Sequence, residues 1–77
     1  MSKLPVISGE ELVRVLRRVG YVPHHQKGSH LTMKLATPSE GRKGRVTIPM
    51  HREIKRGTLK NILKDAGLSV DGLLELL

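Results

Sequence analysis

Two stretches in which apolar and polar residues strictly alternate place the strongest constraint on how this chain can fold. They are HLTMKLAT (30–37) and RVTIPMH (45–51). Their alternating apolar residues are Leu31, Met33, Leu35, Val46, Ile48 and Met50. Because successive side chains of a β-strand point to opposite faces, each stretch predicts a strand with one apolar and one polar face. The apolar face of such a sheet must be covered by another layer of structure.

The residues before the first alternating stretch predict a hairpin. YVPHHQK (21–27) is a short extended run that contains Pro23, which cannot donate a ladder hydrogen bond. It is therefore expected at an edge of the sheet or with an irregular start. Lys27-Gly28-Ser29 separates this run from the next strand, and glycine accommodates the positive φ of a tight hairpin turn.

A helical pattern precedes the strands. In ISGEELVRVLRRVG (7–20), apolar residues recur at helical spacing. Ser8 and Glu11 have the spacing of a capping box, in which each side chain accepts a hydrogen bond from a backbone N–H of the first turn. Gly20 is placed to end the helix in a left-handed conformation.

Two further helical patterns follow the strands. TLKNILKDAG (58–67) predicts a helix with Thr58 as its N-cap and Gly67 as its end. SVDGLLELL (69–77) predicts a short last helix capped by Ser69. The order α-β-β-β-α with a short C-terminal helix predicts an α+β fold. Its three-stranded antiparallel sheet would carry the helices on one face and leave the other face to solvent.

Composition narrows the class of protein. The chain has 77 residues, no Cys, no Phe, no Trp and a single Tyr. We expect one domain over residues 1–77 with an aliphatic core of Leu, Ile, Val and Met. Without Cys there are no disulfides or thiolate metal sites, which favours a cytoplasmic protein over a secreted one. No stretch approaches the apolar length of a membrane-spanning helix, so no membrane association is expected.

The net charge indicates the kind of partner. Fourteen Lys and Arg stand against seven acidic residues, a formal net charge of +7. This balance favours a polyanionic partner, most often a nucleic acid. A basic protein with no anionic partner is one alternative. Binding to an anionic membrane surface is another, although no predicted helix combines a basic face with a bulky apolar one.

His30 is the residue most suited to chemistry. If the apolar residues of its strand face the helices, alternation places His30 on the open side of the sheet. The same argument places five other polar residues there: Thr32, Lys34, Arg45, Thr47 and His51. A buried core histidine is therefore disfavoured at position 30. A solvated surface residue and a catalytic imidazole remain as alternatives.

The histidine pattern does not fit a metal site. Zinc sites use Cys or His pairs at i,i+4 spacing, and two-metal nucleases need clustered carboxylates. His24 and His25 are adjacent on a predicted strand, so alternation would direct them to opposite faces. No carboxylate lies near His30 in sequence. We predict no metal and no cofactor.

Metal-free cleavage of RNA is the chemistry that these residues favour. An imidazole exchanges protons near neutral pH, and RNA carries its own nucleophile, the 2′-hydroxyl. His30 would transfer the proton, whereas Lys27, Lys34 and Arg45 would bind phosphate together with the backbone N–H groups at Gly28-Ser29. Gly28 has a simpler interpretation as a turn residue, and Ser29 either caps the turn or holds a substrate oxygen.

The chain also resembles a known family, the HicA toxins of type II toxin–antitoxin modules. The resemblance rests on GEELVRVLRRVGY, KGSHLTM, VTIPMH and GTLKNILKDAGLS, in this order and spacing. It implies an α-β-β-β-α fold like that of double-stranded-RNA-binding domains, and the activity of an mRNA interferase, an endoribonuclease. It further implies His30 as the single catalytic residue and neutralisation by a HicB-type antitoxin.

The remaining candidate residues follow from the same reasoning. Pro49 and His51 match a motif of the family, and His51 is interpreted as an RNA-binding or structural residue rather than as a second catalyst. Thr32 is assigned to RNA binding with the cations named above. The main alternative function is a non-catalytic module of the double-stranded-RNA-binding type, because fold and charge alone do not separate the two.

Overall fold

The computed structural model describes residues 3–77. The elements follow one another as α1 (Gly9–Arg18), β1 (Tyr21–Lys27), β2 (His30–Leu35), β3 (Arg45–Pro49), α2 (Arg56–Ala66) and α3 (Val70–Leu76). The order and the α+β class confirm the prediction from sequence. None of the helices in residues 3–77 combines the length and the hydrophobicity that crossing a lipid bilayer would require.

Helix α1 begins at the predicted capping box. The Ser8 hydroxyl accepts a hydrogen bond from the Glu11 N–H at 3.1 Å, and the Glu11 carboxylate accepts one from the Ser8 N–H at 3.0 Å. Both hydrogen bonds lower the pKa of the Glu11 carboxyl, and the one from the Ser8 backbone has the larger effect. The chain turns away at Gly20, whose φ is +104°. Both predicted ends of α1 are therefore confirmed.

The three strands form an antiparallel sheet in the order β1-β2-β3, with β2 in the centre. Leu31 pairs with Ile48, and Met33 pairs with Val46. All four of these side chains are buried, whereas residues of the opposite parity are exposed or only half-buried. Helices α1 and α2 both contact the sheet. The alternation therefore separates a covered face from an open face, as the sequence predicted.

One aromatic residue joins the core, contrary to the purely aliphatic core expected from composition. Tyr21 is fully buried among Leu, Ile, Val and Met side chains. Its hydroxyl donates a hydrogen bond to the Lys43 carbonyl oxygen at 2.6 Å. A buried phenol needs such a partner, and the loop before β3 supplies it at the edge of the sheet.

A β-bulge interrupts strand β1. Pro23 pairs with Met33 and His25 pairs with Thr32, so His24 is an extra residue without a partner across the ladder. The predicted irregular edge strand is confirmed. Since a shift of one residue exchanges the two faces of a strand, His25 and Lys27 lie on the open face with their partners Thr32 and His30.

Helix α2 begins three residues earlier than predicted. Its N-cap is Lys55, because the Leu59 N–H donates to the Lys55 carbonyl at 2.9 Å, and Thr58 lies inside the first turn. The assignment of Thr58 as N-cap was therefore wrong. The buried Ile54, whose N–H bonds to the Ile7 carbonyl, fixes the chain just before the helix and sets this earlier start.

The other predicted helix boundaries hold. Gly67 ends α2 in the left-handed conformation with φ +68°. The Ser69 hydroxyl accepts a hydrogen bond from the Gly72 N–H at 3.0 Å and caps α3.

Candidate active site

The open face of the sheet carries polar residues from all three strands. Cross-strand partners share a face in an antiparallel sheet, so the pairing gives their positions directly. His30 lies between Lys27 of β1 and Pro49 of β3. The rows that follow along the sheet are His25-Thr32-Thr47 and Val22-Lys34-Arg45. His30 therefore lies at one end of the face, and the cations Lys34 and Arg45 lie at the other.

A tight turn positions His30 at the start of β2. Gly28 and Ser29 form a two-residue loop between the paired Lys27 and His30. Gly28 has φ +59°, a conformation that favours glycine, as the sequence predicted. The Ser29 carbonyl accepts a hydrogen bond from the Met50 N–H at 2.6 Å, which ties the turn to the end of β3.

A surface cavity of about 280 Å³ opens beside His30. Its lining comes from three parts of the chain and consists of His30, Thr47, Pro49, His51, Lys55 and Thr58. The imidazole rings of His30 and His51 have centroids 6.3 Å apart and planes inclined at 69°. We call this space the histidine cavity. It brings together two residues that sequence analysis assigned separately, His30 as catalyst and His51 as an RNA contact.

The beginning of α2 supplies two residues to the cavity that sequence reasoning missed, Lys55 and Thr58. No side chain caps this helix, and its first turn contains no acidic residue. A lysine at a helix N-terminus opposes the usual preference for negative charge there. A broken local rule of this kind often marks a functional site, but the predicted helix began at Thr58 and so left Lys55 and Arg56 outside it.

The remaining predicted residues divide into two groups. Lys27, Gly28 and Ser29 adjoin His30 at the turn but do not line the cavity. The others, Thr32, Lys34 and Arg45, continue along the open face away from it. The Thr32 hydroxyl lies 3.5 Å from that of Thr47, which does line the cavity, so the two regions form one continuous surface.

Comparison with known families identifies the chain. The family described as HicA toxin of bacterial toxin-antitoxin matches residues 9–68, from the start of α1 to just beyond α2. The protein belongs to the HicA toxin family. Membership gives it a toxin role and implies a cognate antitoxin as partner. The search of curated proteins gave no match.

In this HicA family member, the β-bulge changes what was expected of the adjacent histidines. The argument that His24 and His25 point to opposite faces assumed an unbroken strand, and the bulge removes that assumption. The positive charge of Lys34 lowers the pKa of the His24 imidazole, with smaller contributions from desolvation and from Arg45. His24 therefore lies within electrostatic reach of the basic end of the open face.

Arg42, in the loop between β2 and β3, has a structural role. Its guanidinium donates to the Ala66 carbonyl at 2.9 Å and to the Val19 carbonyl at 2.6 Å. It also lies 5.2 Å from the centroid of the Tyr21 ring. A single cation thus satisfies carbonyl groups at the ends of α1 and α2, where the helix dipoles favour positive charge.

Metal-ligating side chains are not grouped in the part of the chain that the structure describes. Residues 3–77 contain no cluster of three or more His, Cys, Asp or Glu side chains able to hold a metal ion. The two histidines of the cavity are joined there by a lysine, two threonines and a proline rather than by carboxylates.

Proposed function

We propose that this toxin is an endoribonuclease that cleaves mRNA without a metal ion, with His30 as a catalytic proton-transfer residue. The observation that carries the proposal is the position of His30. Its exposed imidazole lies beside a second imidazole in a cavity of about 280 Å³. A surface histidine without a catalytic or binding role needs neither a second imidazole beside it nor a position in a cavity.

Phosphate binding follows from the charges around this cavity. Lys27 is the direct cross-strand neighbour of His30, and Lys55 lines the cavity at the uncapped start of α2. Cations and free backbone N–H groups together favour an anion. A phosphodiester in the cavity would therefore be held next to the catalytic imidazole, where developing charge on its oxygens is stabilised.

The open face can accommodate the rest of the RNA strand. Thr32, Lys34 and Arg45 continue from the cavity along β2 and β3. Contacts from these side chains to backbone phosphates and 2′-hydroxyls would orient the strand without reading its bases. We assign Gly28 and Ser29 to the rim of the binding surface, because their turn adjoins His30 on the side of Lys27.

The reaction needs no metal if the substrate is RNA. The 2′-hydroxyl attacks the adjacent phosphate once a base removes its proton, and an imidazole is suited to this at neutral pH. DNA has no such hydroxyl and is not expected to be cut. The absence of carboxylates from the lining of the histidine cavity is consistent with imidazole chemistry.

A non-catalytic module of the double-stranded-RNA-binding type is the alternative. The α-β-β-β-α order and the positive charge fit both functions. Shape-based binding, however, needs only contacts to phosphates and 2′-hydroxyls, and it gives no reason for two imidazoles in one cavity. The enzyme is therefore the better supported function.

The antitoxin is proposed to be of the HicB type and to act in the cytoplasm, where mRNA is available. An acidic inhibitor surface placed over the open face would cover His30 and its neighbouring cations. Complementary charge would also accelerate the encounter with a toxin of net charge +7.

Controlled expression in a bacterium lacking the antitoxin tests the proposal. Wild type, His30→Ala and His25→Ala are induced in parallel, and growth and the integrity of total mRNA are followed. His25→Ala is the matched control because it removes another exposed imidazole from the same face outside the cavity. We expect growth arrest and mRNA loss with wild type and His25→Ala but not with His30→Ala. Equal toxicity of all three proteins would remove His30 from catalysis.

A further inference from the structure

We propose that His51 is the general acid of this enzyme and protonates the leaving 5′-oxygen, while His30 acts as the base. The inference rests on the ribonuclease function proposed above and goes beyond its single catalytic histidine. Motif position alone favoured a binding or structural role for His51, and it is the geometry of the cavity that changes this assignment.

Different backbone contacts fix the two imidazoles. His30 begins β2 and pairs with Pro49, whereas His51 lies two residues further along the chain, beyond the end of β3. The His51 carbonyl accepts a hydrogen bond from the Gly9 N–H at 2.9 Å, which fixes its backbone against the start of α1. Both side chains are exposed and both line the histidine cavity.

The separation of the rings suits a group held between them. Centroids 6.3 Å apart are too distant for a direct hydrogen bond, which needs about 3 Å between nitrogen atoms, even with one nitrogen of each ring turned toward the other. In phosphoryl transfer the attacking and leaving oxygens lie roughly in line on opposite sides of phosphorus. Direct assistance to both oxygens therefore takes two proton-transfer groups, one on each side of the phosphate.

The proposed step is balanced in atoms and charge. Neutral His30 removes the proton of the 2′-hydroxyl as the O2′–P bond forms. The P–O5′ bond breaks, and protonated His51 gives its proton to O5′. The products are a 2′,3′-cyclic phosphate and a 5′-hydroxyl end. Because both imidazoles are exposed, they return to their starting protonation states by exchange with water.

The other side chains of the cavity are poorer acids. Lysine ammonium groups hold their protons far above neutral pH, and threonine hydroxyls do so even more strongly. Lys55 is thus suited to balance phosphate charge rather than to donate a proton. Two acidic residues lie near the site, but neither lines the histidine cavity: Glu53 lines a neighbouring cavity that shares Lys55 with it, and Glu10 lines another that shares His51. His51 is therefore the proton donor that this site offers.

A chemically altered leaving group tests the assignment. The full chain is given an RNA oligonucleotide with a mapped cleavage site, and the same oligonucleotide with sulfur replacing the bridging 5′-oxygen at that site. A thiolate leaves without being protonated, so the altered substrate does not need the acid. Wild type, His30→Ala, His51→Ala and His51→Gln are compared, with unfolding temperatures measured for each.

The expected results separate the two roles. On normal RNA, His30→Ala and both His51 variants lose about 10²- to 10⁴-fold in rate. On the sulfur substrate the His51 variants recover to near the wild-type rate, whereas His30→Ala does not. The pH–rate profile of wild type is bell-shaped, and the His51 variants lose the decline at high pH because no acid remains to be deprotonated.

Three outcomes would overturn the inference. Unimpaired cleavage of normal RNA by His51→Ala would show that no acid is needed there. Equal impairment on both substrates would indicate a structural or binding role. Rescue of His30→Ala instead would reverse the two assignments. If wild type cleaves neither RNA, the ribonuclease function fails and this inference fails with it.

Discussion

The Gly9 N–H donates a hydrogen bond to the carbonyl oxygen of His51 across 2.9 Å, joining the first turn of α1 to the segment that carries the second imidazole of the cavity. The approach is close because Gly9 has no side chain. A Cβ at this position would press on the Pro49 carbonyl oxygen and lie 2.8 Å from the Met50 Cα. Glycine is therefore required at position 9 by backbone proximity rather than by φ.

Gly9→Ala is expected to destabilise the protein and to disturb the site. Because the contacted atoms are backbone atoms of β3 and its end, the clash is relieved only by moving α1 or the Pro49–His51 segment. We expect a loss of about 1–3 kcal/mol in the free energy of unfolding, measured by denaturant titration, together with reduced RNA cleavage.

Gly57→Ala is the matched control for this measurement. Gly57 lies in the first turn of α2, and a Cβ there would meet nothing within 4 Å. Removing a glycine from a helix is expected to leave the stability unchanged or to raise it by about 0.5–1 kcal/mol. An equal change in the free energy of unfolding for Gly9→Ala and Gly57→Ala would contradict the close approach at Gly9.

Arg42→Ala is expected to lower the free energy of unfolding by about 2 kcal/mol, because it leaves the Ala66 and Val19 carbonyls without their charged donor. Arg42→Lys should not restore this stability, since an ammonium does not reproduce the planar guanidinium that reaches both carbonyls. Denaturant unfolding curves check both variants.

Lys43→Ala provides the comparison for Arg42. Its exposed ammonium makes a loose ion pair with Asp65 at 3.7 Å, which predicts a change of at most about 0.5 kcal/mol. If Lys43→Ala and Arg42→Ala lowered the free energy of unfolding equally, the positive charge of the loop would be responsible. The hydrogen bonds from Arg42 to the ends of α1 and α2 would then not be.

The pKa of His24 is expected to rise in Lys34→Gln. In the folded protein the positive charge of Lys34 opposes protonation of His24, so removing it returns the pKa toward the ordinary value of histidine. NMR titration of the histidine ring signals measures the midpoint directly. Lys60→Gln, on the exposed side of α2, should leave it unchanged.

The lowered pKa of His24 makes the stability of the protein depend on pH. A histidine whose pKa is lowered on folding binds protons more readily in the unfolded chain, so stability rises with pH. The full loss of stability is present below the pKa that His24 has in the folded protein. It disappears above the pKa that His24 has in the unfolded chain. Lys34→Gln should reduce this pH dependence, and an unchanged His24 titration would contradict the proximity of the two side chains.

Local patterns were sufficient to predict much of the fold. The alternation in β2 and β3 determined which residues face the helices, because a single buried face specifies the register of a strand. The capping residues Ser8 and Ser69 and the end of α2 at Gly67 depend on contacts within a few residues. The position of His30 on the open face followed from the same alternation.

Features that depend on distant contacts were not predictable in this way. The bulge at His24 depends on how β1 pairs with β2, and the start of α2 depends on the pairing of Ile54 with Ile7. The close approach of Gly9 to Pro49 is a contact between distant parts of the chain, which no local pattern predicts. The proximity of His51 and Lys55 to His30 likewise arises from chain packing that spacing in the sequence does not encode.

Cleavage of a defined RNA by the purified protein tests the central claim most directly. The rate is measured in excess chelator for wild type and His30→Ala, on a mapped oligonucleotide and on the same oligonucleotide with a single 2′-deoxyribose at the scissile position. We expect wild type to cleave the all-ribose strand at an undiminished rate and to leave the deoxy-substituted site intact, and His30→Ala to cleave neither. Cleavage of the deoxy-substituted site, loss of activity in the chelator, or full activity of His30→Ala would contradict metal-free catalysis by this imidazole.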